Sequence, residues 1–314
     1  MIRYISVLTV LFMFFSCGSK EKAIGHHKLD DSFLEERKVT SDACGLDIQL
    51  EEWLLTSNAL ICKTGNPDSL YVCYDRNTLR KVSSFGKRGH GKDEWIYPHL
   101  FNVTDDEVAV IDNGSRKMFV LGEGGISYKR TAPFSDLLNN VKTLRYPVAG
   151  YVSTTPRMLS LKIADMETAN LLDSICFVSE DGNSSVYDFS WSCNENKLVL
   201  ANMYSNMFVV CKLGEKYNIE TMDYYETDLK FYDDKVFYTD IACGENIYLL
   251  SQKKIDMENK SGFSEIEIYD YNGKPVMKLS LDFVAGKMLL DERNHRLLLT
   301  SVMDGDIHTV KLRS

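Results

Sequence analysis

Basic character is the first thing this chain lacks. Its 36 Lys and Arg stand against 45 Asp and Glu, a formal net charge of −9, so the clustered cations that hold nucleic-acid phosphates are missing as a default. Proline is scarce, with 6 in 314 residues against 19 glycines, which removes collagen-like and low-complexity readings. Beyond residue 16 no apolar run approaches the roughly 20 residues that cross a bilayer as a helix. No Cys-x-x-Cys, His-Glu-x-x-His or Gly-x-Ser-x-Gly occurs. Zinc ribbons, thioredoxin-type redox pairs, zincin-type proteases and α/β-hydrolases lose their signatures with them. What is present is 44% apolar and 11% aromatic residues, too much for disorder over the bulk of the chain. The 17 Tyr and 15 Phe lean toward strands.

The N-terminus reads as an address. Residues 1–17 are MIRYISVLTVLFMFFSC: one cation (Arg3), an apolar run from Ile5 to Phe15 broken by Ser6 and Thr9, then Ser16 and Cys17. A run of 11 residues is too short to span and has the length of a secretory h-region. A small residue before a cysteine, followed by Gly18-Ser19-Lys20, resembles the lipobox of bacterial lipoproteins. Phe14 and Phe15 stand where Leu and a small residue are usual, a variation associated with Bacteroidetes. The resemblance implies cleavage before Cys17 and a diacylglycerol on its thiol. The expected organisation is a signal peptide over 1–16, a lipidated Cys17 with a flexible polar tether over 17–37, and a folded body over 38–314. The expected location is the bacterial cell envelope, anchored by lipid to the outer membrane on its periplasmic or outer side.

From residue 38 onward amphipathic helical periods are hard to find. Short alternating or wholly apolar runs bounded by Asp, Asn and Gly recur instead, the pattern of strands and hairpins. LYVCYDRNTLRKVSSF (70–85) reads as strand, turn and strand, and VAVIDNGSRKMFVL (108–121) repeats it at an offset of 37 when Asp112 is laid on Asp75. LVLANMYSNMFVVCKL (198–213) and LLLTSVMDGDIHTVKL (297–312) align without gaps at an offset of 99. That spacing is two units of roughly 45–50 residues, the length of a propeller blade. IYLLSQKK (247–254) and EIEIYDYNGKPVMKL (265–279) form another pair around a polar insertion from Ile255 to Glu265, and Asn272-Gly273 signals a type I′ hairpin. Six units across 38–312 average about 46 residues. The expected fold is therefore all-β: a six-bladed β-propeller of four-stranded antiparallel blades, with five or seven blades also compatible because 131–180 reads irregularly. Closing such a ring calls for an N-terminal strand on the last blade, and Arg37–Gln49 is the candidate.

The most specific local pattern is GHGKDEWIYP (89–98), preceded by SSFGKR. It resembles the loop of NHL-type and other six-bladed propeller repeats, Gly-x-Gly-Pro-Gly-Glu-Phe-x-x-Pro after a strand ending in Phe-Gly. Gly86, Gly89, Gly91, Glu94 and Pro98 match, Trp95 stands for Phe, and Lys92 and Asp93 replace Pro-Gly. Together with the lipobox and the repeats, the chain resembles the TolB-like, NHL-like six-bladed propeller lipoproteins of Bacteroidetes. The resemblance carries fold far more than activity. A non-enzymatic binding or scaffolding module for an envelope protein or glycan is expected, monomeric, free of cofactor and metal, and without nucleic acid. The alternative is a propeller hydrolase or lyase acting on polysaccharide fragments with acids converging at the central channel, though no catalytic residue can be picked from 45 acids.

Within the 86–98 loop, Arg88, His90, Lys92, Trp95 and Tyr97 combine charge, hydrogen bonding and aromatic area, making this turn the candidate ligand surface. A nucleotide loop is rejected there. Gly86-x-x-x-x-Gly91-Lys92 is followed by Asp93 where Ser or Thr should hold Mg²⁺, and Pro98 would end the required helix. His26-His27 lacks a third metal ligand, and His90, His99, His295 and His308 are scattered. Asp304-Gly305-Asp306 aligns with the turn Tyr204-Ser205-Asn206, and Asp105-Asp106-Glu107 and Asp233-Asp234 likewise read as turns. Trp53, Trp95 and Trp191 are otherwise expected to be packing residues. Seven cysteines remain besides Cys17, mostly in apolar runs; there they act as small hydrophobes, and an oxidising compartment would permit one disulfide among them.

Overall fold

The computed structural model describes residues 22–30, 32–33, 35–46, 52–91, 94–122, 125–134, 136–155, 158–178, 189–194, 196–227, 236–256, 258 and 261–312. The expected signal peptide, Cys17, Lys92, Asp93 and Asp233-Asp234 lie outside them. Wholly apolar runs such as Val108–Asp112, buried along its length, cannot face water on either side of a sheet, so each sheet must be covered on both faces. The chain meets that demand radially. Six sheets form a propeller whose innermost strands are Glu52–Leu55, Pro98–Asn102, Asn139–Arg145, Phe189–Asn194, Asp240–Cys243 and Ala285–Asp291, defining blades 1 to 6. The first five blades add three antiparallel strands in chain order, and blade 6 takes its outermost strand, Asp42–Ala43, from the N-terminal segment. This is the all-β, four-stranded, six-bladed architecture that the repeat length predicts.

Each gap between blades holds its own apolar layer. Blades 1 and 2 meet over Leu54, Tyr71, Trp95, Leu100 and Phe119, and blades 6 and 1 over Leu60, Tyr74, Leu298 and Ile307. A fully buried side chain of this kind contributes about 1.5–3 kcal/mol, so cohesion is spread around the ring and does not reside in one core.

The tether expected over 17–37 is instead part of the folded body wherever it is described. Ala23–Lys28 runs parallel to the outermost strand of blade 4 (Ile219–Glu226), and Glu36–Val39 runs parallel to that of blade 5 (Pro275–Leu281). Leu29 is buried between blades 4 and 5. Lys22 Nζ lies 3.0 Å from Asp173 Oδ1 of blade 3, both side chains largely buried. A strand added at an outer edge takes its hydrogen bonds from the blade and needs no apolar period, which is why polar sequence concealed it. Among the described residues the closing strand is shorter than Arg37–Gln49: Asp42–Ala43 pairs with the last blade and Cys44 N donates to Ile307 O, Arg37–Val39 belongs to blade 5, and Gln49 lies outside the described residues.

The repeats are correct in one register and shifted in another. The offset of 99 superposes the second and third strands of blade 4 (Lys197–Asn202, Met207–Leu213) on those of blade 6 (Arg296–Ser301, Ile307–Lys311). The offset of 37 pairs the third and outermost strands of blade 1 with the second and third of blade 2. Both turns are built alike: Asp75 accepts N–H bonds from Asn77 and Thr78, and Asp112 from Gly114 and Ser115. Such Asx turns serve any hairpin and so cannot mark a position within a repeat. At Asn272-Gly273 only Gly273 has positive φ, at +74°, and the strand register shifts beside it at Ile268/Tyr269; the connection is a bulged turn and not type I′. The polar insertion Ile255–Glu265 prolongs a hairpin, with pairing continued to Asp256 and Ser261.

Alternating strand direction gives the ring two unlike faces. Connections from one blade to the next, and turns between second and third strands, lie on what we call the upper face. Turns between first and second strands, and between third and outermost strands, lie on the lower face. The 86–97 connection is therefore on the upper face, and Lys22, beside the starts of the outermost strands of blades 3 and 4, is at the lower rim.

Candidate functional site: the central cavity and the upper face

A ring of innermost strands leaves six sheet edges pointing at the axis, and their backbone groups need partners. Polar side chains of neighbouring blades supply several. Asn102 Nδ2 donates to Leu55 O at 3.1 Å, Ser190 Oγ to Thr239 O at 2.9 Å, and Asn194 Nδ2 to Gly244 O at 2.7 Å. In the other sense, Glu52 accepts from Leu100 N at 3.2 Å and Asp240 from Met288 N at 2.7 Å. Lys142 donates to Trp191 O and lies 5.4 Å from the centroid of that indole.

These strands enclose a cavity of about 870 Å³ whose lining includes Glu52 and Lys63 of blade 1, His99 of blade 2, Lys142 of blade 3, Asp240 of blade 5 and Lys287 of blade 6. The channel is thus neither apolar nor plugged. His99 Nδ1 lies 3.7 Å from Glu52 Oε2. Burial pushes the Asp240 carboxyl above the usual range, against the opposing pull of Lys142 and of the Met288 and Ile241 N–H groups. Both Glu52 and Asp240 accept backbone N–H bonds across blade boundaries. In this arrangement they hold neighbouring strands together. Burial also raises the Cys193 thiol to about 11 and the Cys243 thiol to about 12, which keeps both protonated and unreactive near neutrality. Cys44, Cys62, Cys73, Cys176, Cys193, Cys211 and Cys243 are all free.

The 86–98 loop divides into a buried base and an exposed tip. Trp95 is 1% exposed and packs between blades 1 and 2, so it is not part of a ligand surface; its ring fills the gap beside Tyr71 and Phe119. Gly86 has φ +78°, and a Cβ there would lie 2.5 Å from the Trp95 ring, which explains glycine at this point. Lys87–Arg88 pairs in parallel with Glu94–Trp95. Glu94 Oε2 accepts from Gly91 N at 2.9 Å and crowds the space a Cβ on Gly89 would need. That N–H bond, with Lys87, holds the Glu94 carboxyl below its ordinary value. Pro98 opens the innermost strand of blade 2. Arg88, His90 and Tyr97 are exposed, Tyr97 to 67%, while Lys92 lies outside the described residues.

The remaining histidines hold structure. His308 accepts or donates a 2.8 Å bond with Ser41 Oγ and stacks on Phe283 at 4.2 Å. His27 Nε2 meets Asp223 at 3.0 Å, and His26 and His27 stack on Tyr224 and Tyr225. Asp306 accepts from Gly45 N and Leu46 N, tying the N-terminal segment to blade 6. Sequence reasoning named Trp53, His99 and Asp105 without bringing them to the cavity, and missed the rest of its lining. It also missed Asp291 at the closure between blades 6 and 1, which is fully buried between Arg76 and Arg296.

Fold and cavity together define a six-bladed β-propeller with a polar axial channel. Solved structures share that fold. Regucalcin from Agrobacterium tumefaciens, described as a calcium-binding protein, superposes with a TM-score of 0.60 at 11% identity, covering 90% of this chain and 98% of that one. A member of the DUF4221 family from Bacteroides vulgatus gives 0.57 at 10% identity, over 96% and 98% of the two chains. The β-propeller domain of Myceliophteria thermophila Cps50 (Swd1) gives 0.52 at 11% identity, over 87% and 99%. At these identities the likeness is one of fold alone. No family model matches the chain, and no curated protein matches it.

Proposed function

We propose that the chain is a lipid-anchored propeller of the bacterial envelope, monomeric and non-enzymatic, that binds a protein partner on its upper face. The observation that carries this reading is where exposed apolar side chains lie. Tyr97, Leu137, Val236 and Val302 sit in upper-face connections and Ile255 and Phe263 flank the upper end of a hairpin, whereas Val82, Leu171 and Val276 stand in outermost strands at their lower ends. Among the described residues, the lower-face turns expose no large apolar side chain. Exposed apolar groups gathered in the connections of one face are a feature of interaction surfaces. Most of them, Leu137, Val236, Ile255 and Val302, are aliphatic, which favours a protein over a glycan, whose sugars stack on flat rings.

An enzyme acting on polysaccharide fragments fits less well, since of the three carboxylates that line the cavity, Glu52, Asp105 and Asp240, two are occupied in joining blades. The calcium binding printed for regucalcin is that protein's; among the described residues no group of three or more His, Cys, Asp and Glu is placed to share a metal.

The test is capture from envelope extract by the mature chain, run beside a triple variant, Tyr97→Ser, Leu137→Ser and Val302→Ser, and beside a glycan array. A protein retained by the parent and lost with the variant supports the reading. Retention by both, or glycan binding alone, overturns it. The anchor is tested separately: Cys17→Ser should move the protein from the membrane to the soluble fraction, and unchanged fractionation rejects lipidation.

A further inference from the structure

The start of the described chain is pinned. Lys22 Nζ bonds Asp173 Oδ1 at 3.0 Å and Ser174 O at 3.2 Å on the outermost strand of blade 3. From Ala23 to Lys28 every residue is in register with the outermost strand of blade 4, from Thr221 to Glu226, and Leu29 N donates to Glu226 O at 2.7 Å. Because Ala23–Lys28 runs parallel to that outermost strand, it enters at the lower face and travels upward. Only five steps of chain separate Cys17 from Lys22. A fully extended chain covers at most about 3.6 Å per residue, so Cys17 lies within about 18 Å of the lower rim at the junction of blades 3 and 4.

We infer that the membrane lies against the lower rim at blades 3 and 4, and that the upper face, with Tyr97, Leu137 and the upper mouth of the cavity, points away from it. This rests on the lipidation of Cys17 proposed above. The partner is a lipid surface, held by the anchor and a short leash. The leash is too short for the ring to turn over and present its upper face to the same bilayer. The exposed turns near the anchor carry both signs of charge, Glu167 in blade 3 and Glu215 and Lys216 in blade 4, beside the exposed Ile24 and Leu171, a mixture that suits the headgroup region better than burial in acyl chains.

Two single-tryptophan probes on the lipidated full chain test this orientation: Lys216→Trp on the lower turn of blade 4 and Tyr97→Trp on the upper face. Each is reconstituted in phosphatidylcholine vesicles containing a nitroxide-headgroup lipid, and the emission added over the parent is followed. The expected result is loss of the added emission at 216 and its retention at 97. Inserting a 20-residue Gly/Ser stretch between Ser19 and Lys20 should then restore the emission at 216. Equal quenching at both sites, or stronger quenching at 97, overturns the orientation while leaving lipidation intact. Vesicle binding that is absent, or unchanged by Cys17→Ser, overturns the anchor and the orientation together.

Discussion

The two faces of the ring are built from the same kinds of turn yet spend their side chains differently. On the lower face, charged groups close the ring. Asp291 receives Arg76 Nη2 at 2.6 Å and Arg296 Nε at 2.9 Å, Arg76 Nη1 donates to Thr56 O, and Arg293 Nη1 donates to Ser57 O. All these bonds join blade 6 to blade 1 or brace the turns beside that junction. The upper face also has its internal bonds, such as Asp112 accepting from Ile96 N and Tyr97 N. It nevertheless leaves Tyr97 and Leu137 about two-thirds exposed, at 67% and 65%. Both faces fasten blades, the upper one through Glu52, Asp240 and Asp306, but the exposed apolar connections lie on the upper face alone, and substitutions on the two faces should fail in different ways.

The largest effect is expected from Asp291→Ala, which strands two partly buried guanidinium groups at the ring closure. A loss of about 3–5 kcal/mol in chemical denaturation is expected. Burial opposes ionisation of Asp291, but hydrogen bonds from Arg76, Asn294 and Arg296 outweigh it and hold its carboxyl below the ordinary value. Its contribution is therefore present above that ordinary value of 3.8 and is lost as pH falls through the lowered one. A variant as stable as the parent at neutral pH would remove the lower face from its fastening role.

On the upper face, Gly86→Ala forces a left-handed backbone and a clash with Trp95, and should cost at least about 1 kcal/mol in thermal unfolding. Near-UV circular dichroism should change with it, because the Trp95 ring must move. Asp240→Asn probes the upper mouth by pH. The raised Asp240 pKa means that stability falls as pH climbs from the ordinary 3.8 through the raised value. The amide keeps an acceptor for Met288 N and should flatten that part of the pH–stability curve. Smallest of all, serine at Tyr97, Leu137 or Val302 should change stability by no more than about 0.5 kcal/mol each while abolishing partner capture. Equal loss of stability and capture would merge the two roles.

The architecture was legible because blade strands must be apolar or alternating and turn residues must break them, and both properties are local. Repeat length then favoured six blades, and the irregular stretch 131–180, which left five or seven open, is blade 3 and its flanks. The register error between 70–85 and 108–121 has the same origin, since Asp75 and Asp112 build identical turns at different places in a blade. Ala23–Lys28 and Glu36–Val39 were hidden because edge strands borrow their order from blades about 200 residues away in sequence. For the candidate site, the exposed Arg88, His90 and Tyr97 were legible as loop residues; of the two readings open for Trp95, ligand surface and packing, the second holds, since its ring fills the gap between blades 1 and 2. The cavity lining left no sequence signal, as Glu52, Lys142 and Asp240 become neighbours only when the ring closes.

That closure also imposes an order of events. The first described residues of the chain are held by blades 3 to 6, and Ser41 meets His308 across 267 positions. Synthesised first, this segment finds its last strand partner, on blade 6, only after nearly the whole chain exists. Contacts so distant in sequence form slowly, and until they do the outer edges of blades 4, 5 and 6 stay open to other chains. Assembly therefore finishes where it began, with the N-terminal segment acting as the final latch.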